Sequence, residues 1–502
     1  MTETDQIDPS RNHFLYSILN PKSICTFGAN NDLMATMGSM QLRNVIAGGF
    51  EGTIYPIHPT LNEVQGYKAY RSVDELPETP DLAFIILPPK VVPIVVEQCG
   101  RKGIKNMIVT SGGFREAGEQ GKKLGLQLDQ IVKKYGMRYI GPNCLGVFNG
   151  WFLAPKENTY FSTMWIYTNP KRGNISIASQ SGTIACHEVW HANYIGAYIG
   201  KSISIGNERN IDLVDFLEFF KDDPQTEVIG LYIEEVKRGR EFIKLAKEIT
   251  PKKPIVAIYA GGSEAAARSI MSHTGSIGGN QKIYDTVFKE TGIIATDSMT
   301  DFLYYLRTLS WAQRNKIFLK GNRIGIITDS GGAGSMMIKN CERLGLEVPE
   351  FSADLKTEIY KYIPPTASAH NPVDVTFDMN FYNLFVKFPK ILMESGEVDG
   401  IIIYGVFDFG DVVDFIEKAG YLKDNTMRQF ANSVDRAFMK PAKRLIQRKK
   451  IPIFYVGPQP YTFPMYKKFR DLDLPIFDFW DQPTNCMSIF AKYSVYRRNH
   501  GK

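Results

Sequence analysis

The stretch Gly173-Asn-Ile-Ser-Ile-Ala-Ser-Gln-Ser-Gly-Thr183 contains the pattern that decides the fold. An apolar strand runs into a turn of small residues, and the sequence after the turn is typical of a helix. The stretch Gly321-Asn-Arg-Ile-Gly-Ile-Ile-Thr-Asp-Ser-Gly-Gly332 repeats this design. Strands that alternate with helices form parallel sheets covered by helices. We therefore expect two related blocks of the α/β class, each built on a parallel sheet.

The residues before this stretch alternate in the same way. We predict a strand over residues 23–27, a loop over residues 28–32 and a helix over residues 33–47. Further strands are predicted to begin at residue 52 and to cover residues 82–87, 106–110 and 138–140. Ligands of a parallel sheet bind beyond the carboxyl ends of its strands. The turns after these strands are therefore candidate binding sites.

The chain of 502 residues is too long for one hydrophobic core, since single cores rarely grow past about 250–300 residues. Ser204-Ile-Gly-Asn207 and Asn371-Pro-Val-Asp374 occupy comparable places in the two blocks, which indicates that both blocks are flavodoxin-like. The predicted architecture is a Rossmann-like domain over residues 1–150, followed by flavodoxin-like parallel-sheet domains over residues 151–315 and 316–502.

The composition argues against several classes of protein. Hydrophobic residues make up 44% of the chain and charged residues 22%, as in ordinary globular proteins. The net charge of +6 is small and the charges are interspersed, so no nucleic-acid partner is expected. No apolar run reaches the roughly 18–20 residues of a membrane span, and no basic-then-apolar leader begins the chain. The six cysteines form no CxxC pair, so we expect a cytoplasmic protein without a zinc site or a disulfide framework.

One histidine, His273, lies among small and hydroxyl side chains in the segment over residues 260–279. No apolar face is available to bury it, and histidine titrates near neutral pH, which makes it a preferred catalyst. Glu234 and Glu235 follow the predicted strand over residues 228–233, at the end where functional sites collect. Taken alone, these residues also fit an exposed loop histidine and a solvated pair of carboxylates.

Two loops have features of phosphate-binding turns. The loop Ser179-Gln-Ser-Gly-Thr183 follows a strand and begins a helix, so that backbone N–H groups and the positive helix end point towards a ligand. An ordinary turn with a Ser or Thr cap explains the same residues. The loop Gly28-Ala-Asn-Asn-Asp32 is a weak nucleotide-type turn, because it lacks the full G-x-G-x-x-G spacing.

Together these segments resemble the NDP-forming acyl-CoA synthetase superfamily, which includes succinyl-CoA synthetase and the ADP-forming acetate–CoA ligases. The resemblance extends from about Pro21 to the last helix. Four elements occur in the family's order, and they are Ser179-Gln-Ser-Gly-Thr183, Ser204-Ile-Gly-Asn207, Ser272-His-Thr-Gly-Ser276 and Asn371-Pro-Val-Asp-Val-Thr376.

The resemblance implies that the first domain binds coenzyme A and that His273 accepts a phosphoryl group. It also implies that a glutamate orients the imidazole, and the match is to Glu234, with Glu235 as the neighbouring possibility. The implied phosphate-binding residues are Ser181, Gly182, Thr183, Gly206 and Asn207. The implied coenzyme A residues are Ala29, Asn30, Asn31, Asp32, Pro59, Leu87, Pro88, Pro89, Ser111, Gly112, Gly113 and Asn143.

The implied function is that of an α-type subunit of an ADP-forming acyl-CoA synthetase. Such an enzyme interconverts acyl-CoA, nucleoside diphosphate and phosphate with a carboxylic acid, coenzyme A and nucleoside triphosphate, through an acyl phosphate and a phosphohistidine. No ATP-grasp segment is recognisable, so we expect a separate ATP-grasp β subunit to bind Mg²⁺ and ADP or ATP, in a heterotetramer. No metal ligand is assigned to this chain.

Two positions depart from the family. Relatives often carry a basic residue after the second strand, whereas this chain has His58-Pro59-Thr60, so one contact to the phosphates of coenzyme A is either missing or made by Lys68. Succinyl-CoA synthetase has a tyrosine near its substrate, whereas this chain has Cys186 and His187. Succinate is therefore disfavoured, and the identity of the small carboxylic acid stays open.

Two other functions compete with this interpretation. One is a non-catalytic, CoA-binding regulatory or scaffold protein derived from the same family, and the intact loop around His273 argues against it. The other is a nicotinamide-dependent dehydrogenase, which the first domain suggests. The incomplete glycine pattern of residues 28–32 argues against that function.

Overall fold

The computed structural model describes residues 8–165, 171–263, 265, 279–376, 380–407, 409–421, 428–429 and 433–501. The chain divides into two compact units, which we call unit 1 (residues 1–306) and unit 2 (residues 307–502). Among the described residues, unit 1 contains two large sheets and unit 2 contains one. The domain boundaries near residues 150 and 315 stay predictions.

The first sheet of unit 1 consists of five parallel strands, which are β1 (Ser23–Phe27), β2 (Thr53–Ile57), β5 (Leu82–Ile85), β6 (Asn106–Val109) and β7 (Arg138–Ile140). A small hairpin is formed by β3 (Glu63–Val64) and β4 (Tyr67–Lys68). The helices are α1 (Phe14–Leu19), α2 (Met37–Ala47), α3 (Val92–Lys102) and α4 (Gly118–Tyr135), with 3₁₀ turns at Pro9–Asn12, Val73–Glu75 and Arg115–Ala117. The strand order is β2-β1-β5-β6-β7, and nearly every strand residue is buried, as expected for a parallel sheet between two layers.

The second sheet of unit 1 consists of β8 (Val147–Asn149), β9 (Phe161–Ser162), β10 (Ile175–Ser179), β11 (Ile199–Ser204), β12 (Val228–Ile233), β13 (Ile255–Tyr259) and β14 (Ile294–Ala295). Its order is β14-β13-β12-β10-β11-β8-β9, in which β10 to β14 are parallel and β8 and β9 form an antiparallel edge. Its helices are α5 (Gly182–Cys186), α6 (Glu188–Ile195), α7 (Leu213–Asp222), α8 (Gly239–Ile249) and α9 (Gln281–Thr291). The next helix, α10 (Met299–Asn315), begins in unit 1 and ends in unit 2.

Unit 2 contains the parallel strands β15 (Ile324–Thr328), β16 (Val373–Asp374), β17 (Gly400–Tyr404), β18 (Ile453–Val456) and β19 (Ile476–Phe477), in the order β16-β15-β17-β18-β19. Its helices are α11 (Gly331–Arg343), α12 (Ala353–Tyr360), α13 (Phe388–Ser395), α14 (Phe409–Lys418), α15 (Lys440–Lys449), α16 (Pro464–Asp471) and α17 (Asp481–His500), with π-helical turns at Asn383–Lys387 and Asp435–Met439.

The three sheets share one connectivity. In each parallel sheet, the first strand lies between the second and the third, and the later strands follow outwards, which is the flavodoxin-like order. The predicted fold class is confirmed, since a Rossmann-like α/β domain is followed by two flavodoxin-like domains; the first sheet has the strand order of the other two and not the 3-2-1-4-5 order of the dinucleotide-binding fold. Within the described parts of the chain, no helix is long and apolar enough to cross a membrane.

One hydrophobic core extends through both sheets of unit 1. Phe84 of β5 and Phe216 of α7 belong to the same cluster of buried side chains, together with Ile203 and Ile229 of the second sheet. The opposite face of the first sheet packs a separate cluster around residues such as Ile85, because successive strand residues point to opposite faces. The shared core holds the two sheets of unit 1 together and fixes the positions of their carboxyl-end loops.

Candidate active site at the carboxyl ends of the unit 1 strands

The predicted coenzyme A residues after β1 use their side chains to shape the turn. Asn30 Oδ1 accepts a hydrogen bond from the backbone N–H of Asp32 at 3.2 Å, and Asn31 Oδ1 accepts one from the N–H of Gln65 at 2.7 Å. Ala29 is buried beneath the turn. The side chains of Asn30 and Asn31 therefore hold the loop in place for a ligand.

Three further turns, after β5, β6 and β7, meet at the same edge of the first sheet. Ser111 Oγ accepts from the N–H of Leu87 at 2.9 Å, and the backbone oxygen of Ser111 accepts from the N–H of Asn143 at 2.9 Å. Gly113 has a φ of +94°, and a Cβ there would lie 2.6 Å from Cγ of Pro89. The structure thus brings these predicted residues together, and Pro88 and Gly112 lie within the same turns.

Pro59 lies in the exposed turn after β2. Arg71 Nη1 donates to the backbone oxygen of His58 in this turn at 3.2 Å. Lys68, the cation that the sequence suggested, has its Nζ 5.0 Å from the centroid of the Tyr70 ring. Arg71 is therefore a second cation beside Pro59, which the sequence analysis missed because it reaches the turn from beyond the β3–β4 hairpin.

The second sheet provides the predicted phosphate turn, residues 179–183. Helix α5 begins at Gly182, with Ser181 as its N-cap residue. Ser179 Oγ accepts from the N–H of Ser181 at 3.1 Å and donates to the backbone oxygen of Ser181 at 2.7 Å, which fixes the turn. Thr183 is exposed. The first N–H groups of an α-helix have no partner within the helix, so this turn can offer them to an anion.

The loop after β11 carries Gly206 and Asn207 to the first sheet. The backbone N–H of Asn207 donates to the oxygen of Pro142 at 2.9 Å, and Asn143 Nδ2 donates to Asn207 Oδ1 at 3.4 Å. Gly206 has a φ of +66°, and a Cβ there would lie 2.4 Å from the oxygen of Pro142. A predicted coenzyme A residue and a predicted phosphate residue are therefore in direct contact.

Gln180 fixes the two glutamates that follow β12. Its Oε1 accepts from the N–H of Glu235 at 3.0 Å and from the N–H of Glu234, and its Nε2 donates to the oxygen of Glu235 at 2.7 Å. Glu234 is 7% exposed. The carboxylate of Glu235 forms an ion pair with Arg115, with 3.0 Å between Oε2 and Nη1. The two glutamates therefore have different surroundings, although both are held by one amide.

His273, the predicted phosphoryl acceptor, lies outside the described residues. Tyr259 precedes the segment with His273 in the sequence, and Gly279 follows it. The hydroxyl of Tyr259 donates to the oxygen of Gly279 at 2.9 Å, and the Tyr259 ring stacks on Tyr284 with centroids 3.7 Å apart. The hydroxyl of Tyr284 accepts from the N–H of Val236 at 3.1 Å, directly after the two glutamates. The described residues that flank the segment with His273 therefore lie beside the carboxyl end of β12.

Two titratable side chains, Glu208 and Lys237, lie behind Asn207. Glu208 is 3% exposed, and burial raises the pKa of its carboxyl to about 8. Lys237 Nζ donates to the backbone oxygens of Asn207, at 3.0 Å, and Glu208. Burial lowers the pKa of Lys237, and the Glu208 carboxylate opposes this shift. The Lys237 amine thus fastens the loop after β11 to the end of β12.

Glu116, which was not predicted from the sequence, contacts both sets of predicted residues. Its Oε1 accepts from the N–H of Gly113 at 2.6 Å, and its Oε2 accepts from Asn207 Nδ2 at 2.7 Å. The sequence contained a signal for this role, since a charged pair, Arg115 and Glu116, directly follows the Ser111-Gly-Gly-Phe114 turn. Within the described ranges, no group of three His, Cys, Asp or Glu side chains could hold a metal ion.

Three parts of the chain match known domain families. Residues 22–150 match the CoA binding domain, residues 172–309 match the succinyl-CoA ligase like flavodoxin domain, and residues 324–384 match the ligase-CoA domain. The first two matches contain the turns described above.

Two relatives that match most of the chain are named as CoA ligases. The acetate–CoA ligase (ADP-forming) II subunit alpha of Pyrococcus furiosus is 34% identical over 441 residues, which are 87% of this chain and 93% of that protein. The 4-hydroxybutyrate–CoA ligase (ADP-forming) of Nitrosopumilus maritimus is 35% identical over 382 residues, 74% of this chain but 53% of that protein.

A solved structure is similar over almost the whole chain. It is the dinucleotide-forming acetyl-coenzyme A synthetase 1 of Candidatus Korarchaeum cryptofilum in complex with phosphate and ADP, with a TM-score of 0.78, 30% identity, and coverage of 97% of this chain and 98% of that chain. Domain matches, whole-chain identity and fold agree with one another, and the chain belongs to the ADP-forming acyl-CoA synthetase family, as a subunit of the α type.

Proposed function

We propose that this chain binds coenzyme A in the turns of the first sheet and carries a phosphoryl group on His273, as part of an ADP-forming acyl-CoA synthetase. The observation that carries the proposal is the contact of Asn143 and Glu116 with Asn207, at 3.4 Å and 2.7 Å. Reacting atoms must come within about 3–3.5 Å of each other, so a thioester site and a phosphate site must adjoin. The contact supports such an arrangement.

The proposed reaction has three steps. An oxygen of inorganic phosphate attacks the thioester carbonyl, the C–S bond breaks, and coenzyme A leaves with its sulfur protonated. An imidazole nitrogen of His273 then attacks the phosphorus of the acyl phosphate, and the carboxylate leaves with the bridging oxygen. The phosphoryl group finally passes from the imidazole to a nucleoside diphosphate. Imidazole suits this role because it is a nucleophile at neutral pH.

Glu234 is proposed to accept a hydrogen bond from the other imidazole nitrogen, which fixes the tautomer of His273. Its burial and the hydrogen bond from its backbone N–H to Gln180 support this assignment, because both restrict where the carboxylate can lie. Ser181, Gly182 and Thr183, with Gly206 and Asn207, are proposed to hold the transferred phosphate through backbone N–H and side-chain amide groups.

The turns of the first sheet suit coenzyme A chemically. Pro88 and Pro89 offer apolar surface to a pantetheine chain, and the Asn143 side chain offers an amide to its peptide-like groups. The Arg71 guanidinium lies beside Pro59 and offers the phosphates of coenzyme A a cation in addition to Lys68.

A separate ATP-grasp β subunit is proposed to bind Mg²⁺ and the nucleotide, in a heterotetramer with this chain. Phosphoryl transfer to a nucleotide relies on a metal ion and positioned cations that neutralise the phosphate charge. The name of the Pyrococcus furiosus relative, a subunit alpha, supports a partner subunit. The cytoplasmic location stays a prediction from the sequence.

The acyl group is proposed to be a small carboxylic acid. Relatives are named for acetate and for 4-hydroxybutyrate, so the family accommodates different chains. Cys186, which is buried, and His187 follow the phosphate turn on α5 and are the first residues of this chain to test for acyl preference.

The test of the proposal is acid-labile phosphate on His273. The wild-type chain, supplied with a β subunit, Mg²⁺ and labelled ATP, or with labelled acetyl phosphate alone, is expected to incorporate label that acid releases and hydroxide does not. His273→Asn should abolish the label while coenzyme A still binds. His370→Asn is the matched control, since His370 is half exposed in unit 2 and pairs with Glu350 at 2.7 Å.

The same experiment separates the proposed enzyme from a non-catalytic CoA-binding protein. A scaffold protein would bind coenzyme A without taking up label. Equal labelling or full turnover of the His273→Asn variant would contradict the mechanism.

A further inference from the structure

Two consecutive side chains connect the first sheet of unit 1 to the second. Arg115 and Glu116 lie in the 3₁₀ turn Arg115–Ala117, directly after residues 111–114, which we call the CoA turn. Arg115 Nη1 donates to Glu235 Oε2 at 3.0 Å, beyond the end of β12. Glu116 Oε2 accepts from Asn207 Nδ2 at 2.7 Å, beyond the end of β11. One short turn therefore contacts two separate loops of the second sheet.

The carboxylate of Glu116 also holds the CoA turn from inside. Its Oε1 accepts from the N–H of Gly113 at 2.6 Å and from the N–H of Phe114 at 3.3 Å. Phe114 is completely buried, and a Cβ on Gly121 would lie 1.7 Å from the oxygen of Phe114, so α4 packs tightly against the turn. A carboxylate is rigid and planar, so a shift of the CoA turn must move the oxygen that Asn207 contacts, or break that bond.

The other ends of both contacts lead to the phosphate turn. Glu235 is held through its backbone by Gln180, which is the residue before Ser181, the N-cap of α5. Asn207 belongs to the loop after β11, and the backbone N–H of Ile205 in that loop donates to the oxygen of Ser179 at 2.8 Å. Both routes therefore end within the phosphate turn, one on the side chain of Gln180 and the other on the backbone oxygen of Ser179.

We infer that Arg115 and Glu116 are positioning residues that couple the two ligand sites, so that phosphate bound at the phosphate turn strengthens the binding of coenzyme A at the CoA turn. The inference rests on the proposed function for the identity of the two ligands. Phosphate and coenzyme A each stabilise the conformation in which Arg115 contacts Glu235 and Glu116 contacts Asn207. Each ligand therefore raises the affinity for the other by the same factor.

The test is a titration of the full-length chain with coenzyme A, followed by calorimetry, without and with saturating inorganic phosphate. The wild-type Kd for coenzyme A is expected to fall about fivefold or more when phosphate is present, the lower range of typical coupling. Competition between inorganic phosphate and the phosphates of coenzyme A would weaken binding, so a tighter Kd cannot arise from competition.

Arg115→Gln should reduce the effect of phosphate to less than about twofold, while the Kd measured without phosphate stays close to that of the wild type. Arg115 makes its ion pair with Glu235 and does not hold the N–H groups of the CoA turn, so this variant decides the question if Glu116→Gln fails to fold. Glu116→Gln should abolish the effect of phosphate and should also weaken the binding of coenzyme A without phosphate, because the CoA turn loses a charged acceptor.

Glu119→Gln and Lys122→Gln are matched controls, because these two residues form an exposed ion pair of 2.7 Å at the start of α4. They should keep the full phosphate effect. A wild-type Kd that phosphate leaves unchanged or raises would overturn the inference, as would an Arg115→Gln variant with the full effect. Phosphohistidine formation is measured separately, so a chain that shows the coupling but no label contradicts only the proposed function, and a labelled, active chain without coupling contradicts only this inference.

Discussion

Glu234 and Glu235 are neighbours in sequence but differ in what their carboxylates can do. Glu235 is held in the ion pair with Arg115, whereas Glu234 is almost completely buried at the end of β12. A carboxylate that is neutralised by an arginine is a weaker acceptor for an imidazole N–H. These surroundings support the proposal that Glu234, which the resemblance to the family also implies, orients His273.

We predict that Glu234→Gln slows phosphoryl transfer to His273 by at least about 10–100-fold, the usual loss when a supporting hydrogen bond to a functional imidazole is removed. The measurement is rapid-quench kinetics of phosphohistidine formation. Glu235→Gln is the adjacent control and should leave this rate within a few-fold of wild type. If Glu235→Gln is the damaging change and Glu234→Gln is silent, the orienting role belongs to Glu235.

The buried carboxyl of Glu208 predicts a pH dependence of stability. Burial raises its pKa from 4.5 to about 8 in the folded chain, so the folded state binds a proton that the unfolded state has released. The stabilisation from this proton is complete below the unfolded value of about 4.5 and is lost as the pH rises through about 8. The wild type should therefore lose stability across this range relative to a variant without the titrating group.

Glu208→Gln supplies that comparison. The difference in melting temperature, variant minus wild type, should be small near pH 5 and should grow steadily towards pH 8.5. A difference that stays constant with pH would show that Glu208 does not titrate in this window. Asp285→Asn, at an exposed position on α9, controls for the loss of one negative charge.

At the scale of elements, the contact between the two sheets depends on a glycine in the loop after β11. Gly206 combines a φ of +66° with a Cβ position 2.4 Å from the oxygen of Pro142. Gly136, at the C-terminus of α4, has a φ of +61° with no heavy atom within 4 Å of its Cβ position. Substitution of the two glycines by alanine separates the free-energy cost of a positive φ, which both share, from the cost of a Cβ atom close to Pro142, which only Gly206 has.

We predict that Gly136→Ala lowers the free energy of unfolding by about 1–2 kcal/mol, the cost of a left-handed non-glycine residue. Gly206→Ala should cost this amount and a further 1–3 kcal/mol or so from overpacking. Only Gly206→Ala should weaken the binding of coenzyme A, because it separates the loop after β11 from Asn143. Denaturant titration and calorimetry measure the two effects, and equal losses in both variants would argue against a tight contact at Gly206.

Element positions were predicted well where apolar runs end at clear turn signals. The strands predicted over residues 23–27, 138–140 and 228–233 are found there. The helix predicted from residue 33 was wrong at its start, because α2 begins at Met37. Thr36 caps it by accepting from the N–H of Ser39, and its hydroxyl donates to the oxygen of Gly28 at 2.7 Å. Hydrophobic periodicity does not show where a helix begins when the start is set by a capping hydroxyl such as that of Thr36.

The site was predictable as a set of turns but not as a set of contacts. Loops after parallel strands must gather at one edge of their own sheet, which is why the turns around Ser111 and Asn143 were predicted correctly to lie at one edge. How the first sheet meets the second depends on the shared core, so the contacts of Arg115, Glu116 and Gln180 appeared only in the structure. The strands β8 and β9, which extend the second sheet, were also missed because both are very short.

For the whole molecule, we predict dependence on a partner. The purified chain alone should bind coenzyme A and accept label from acetyl phosphate, but should form no thioester from ATP, coenzyme A and a carboxylic acid. Addition of an ATP-grasp subunit should start this reaction. The physical reason is that phosphoryl transfer to a nucleotide relies on a metal ion and positioned cations, which the proposed ATP-grasp subunit would supply.

The measurement is thioester formation by the single chain at high purity, with labelling by acetyl phosphate as proof that the preparation is competent. Robust ATP-dependent activity without a partner would mean that a nucleotide site lies within these 502 residues.

The antiparallel edge strand β8 determines how this protein can be recombined with its relatives. The chain leaves the first sheet at Ile140 and from Val147 pairs with β11 of the second sheet, so only the turn of residues 141–146 connects the two sheets. In a chimera joined at residue 150, β8 from one parent would have to pair with β11 from the other. A fragment that ends at residue 150 would contain β8 without β11, and the remaining fragment would expose the unpaired backbone groups of β11. A chimera of two family members should therefore fold when residues 1–306 all come from one parent. It should be insoluble when residues 1–306 are divided between the two parents at residue 150.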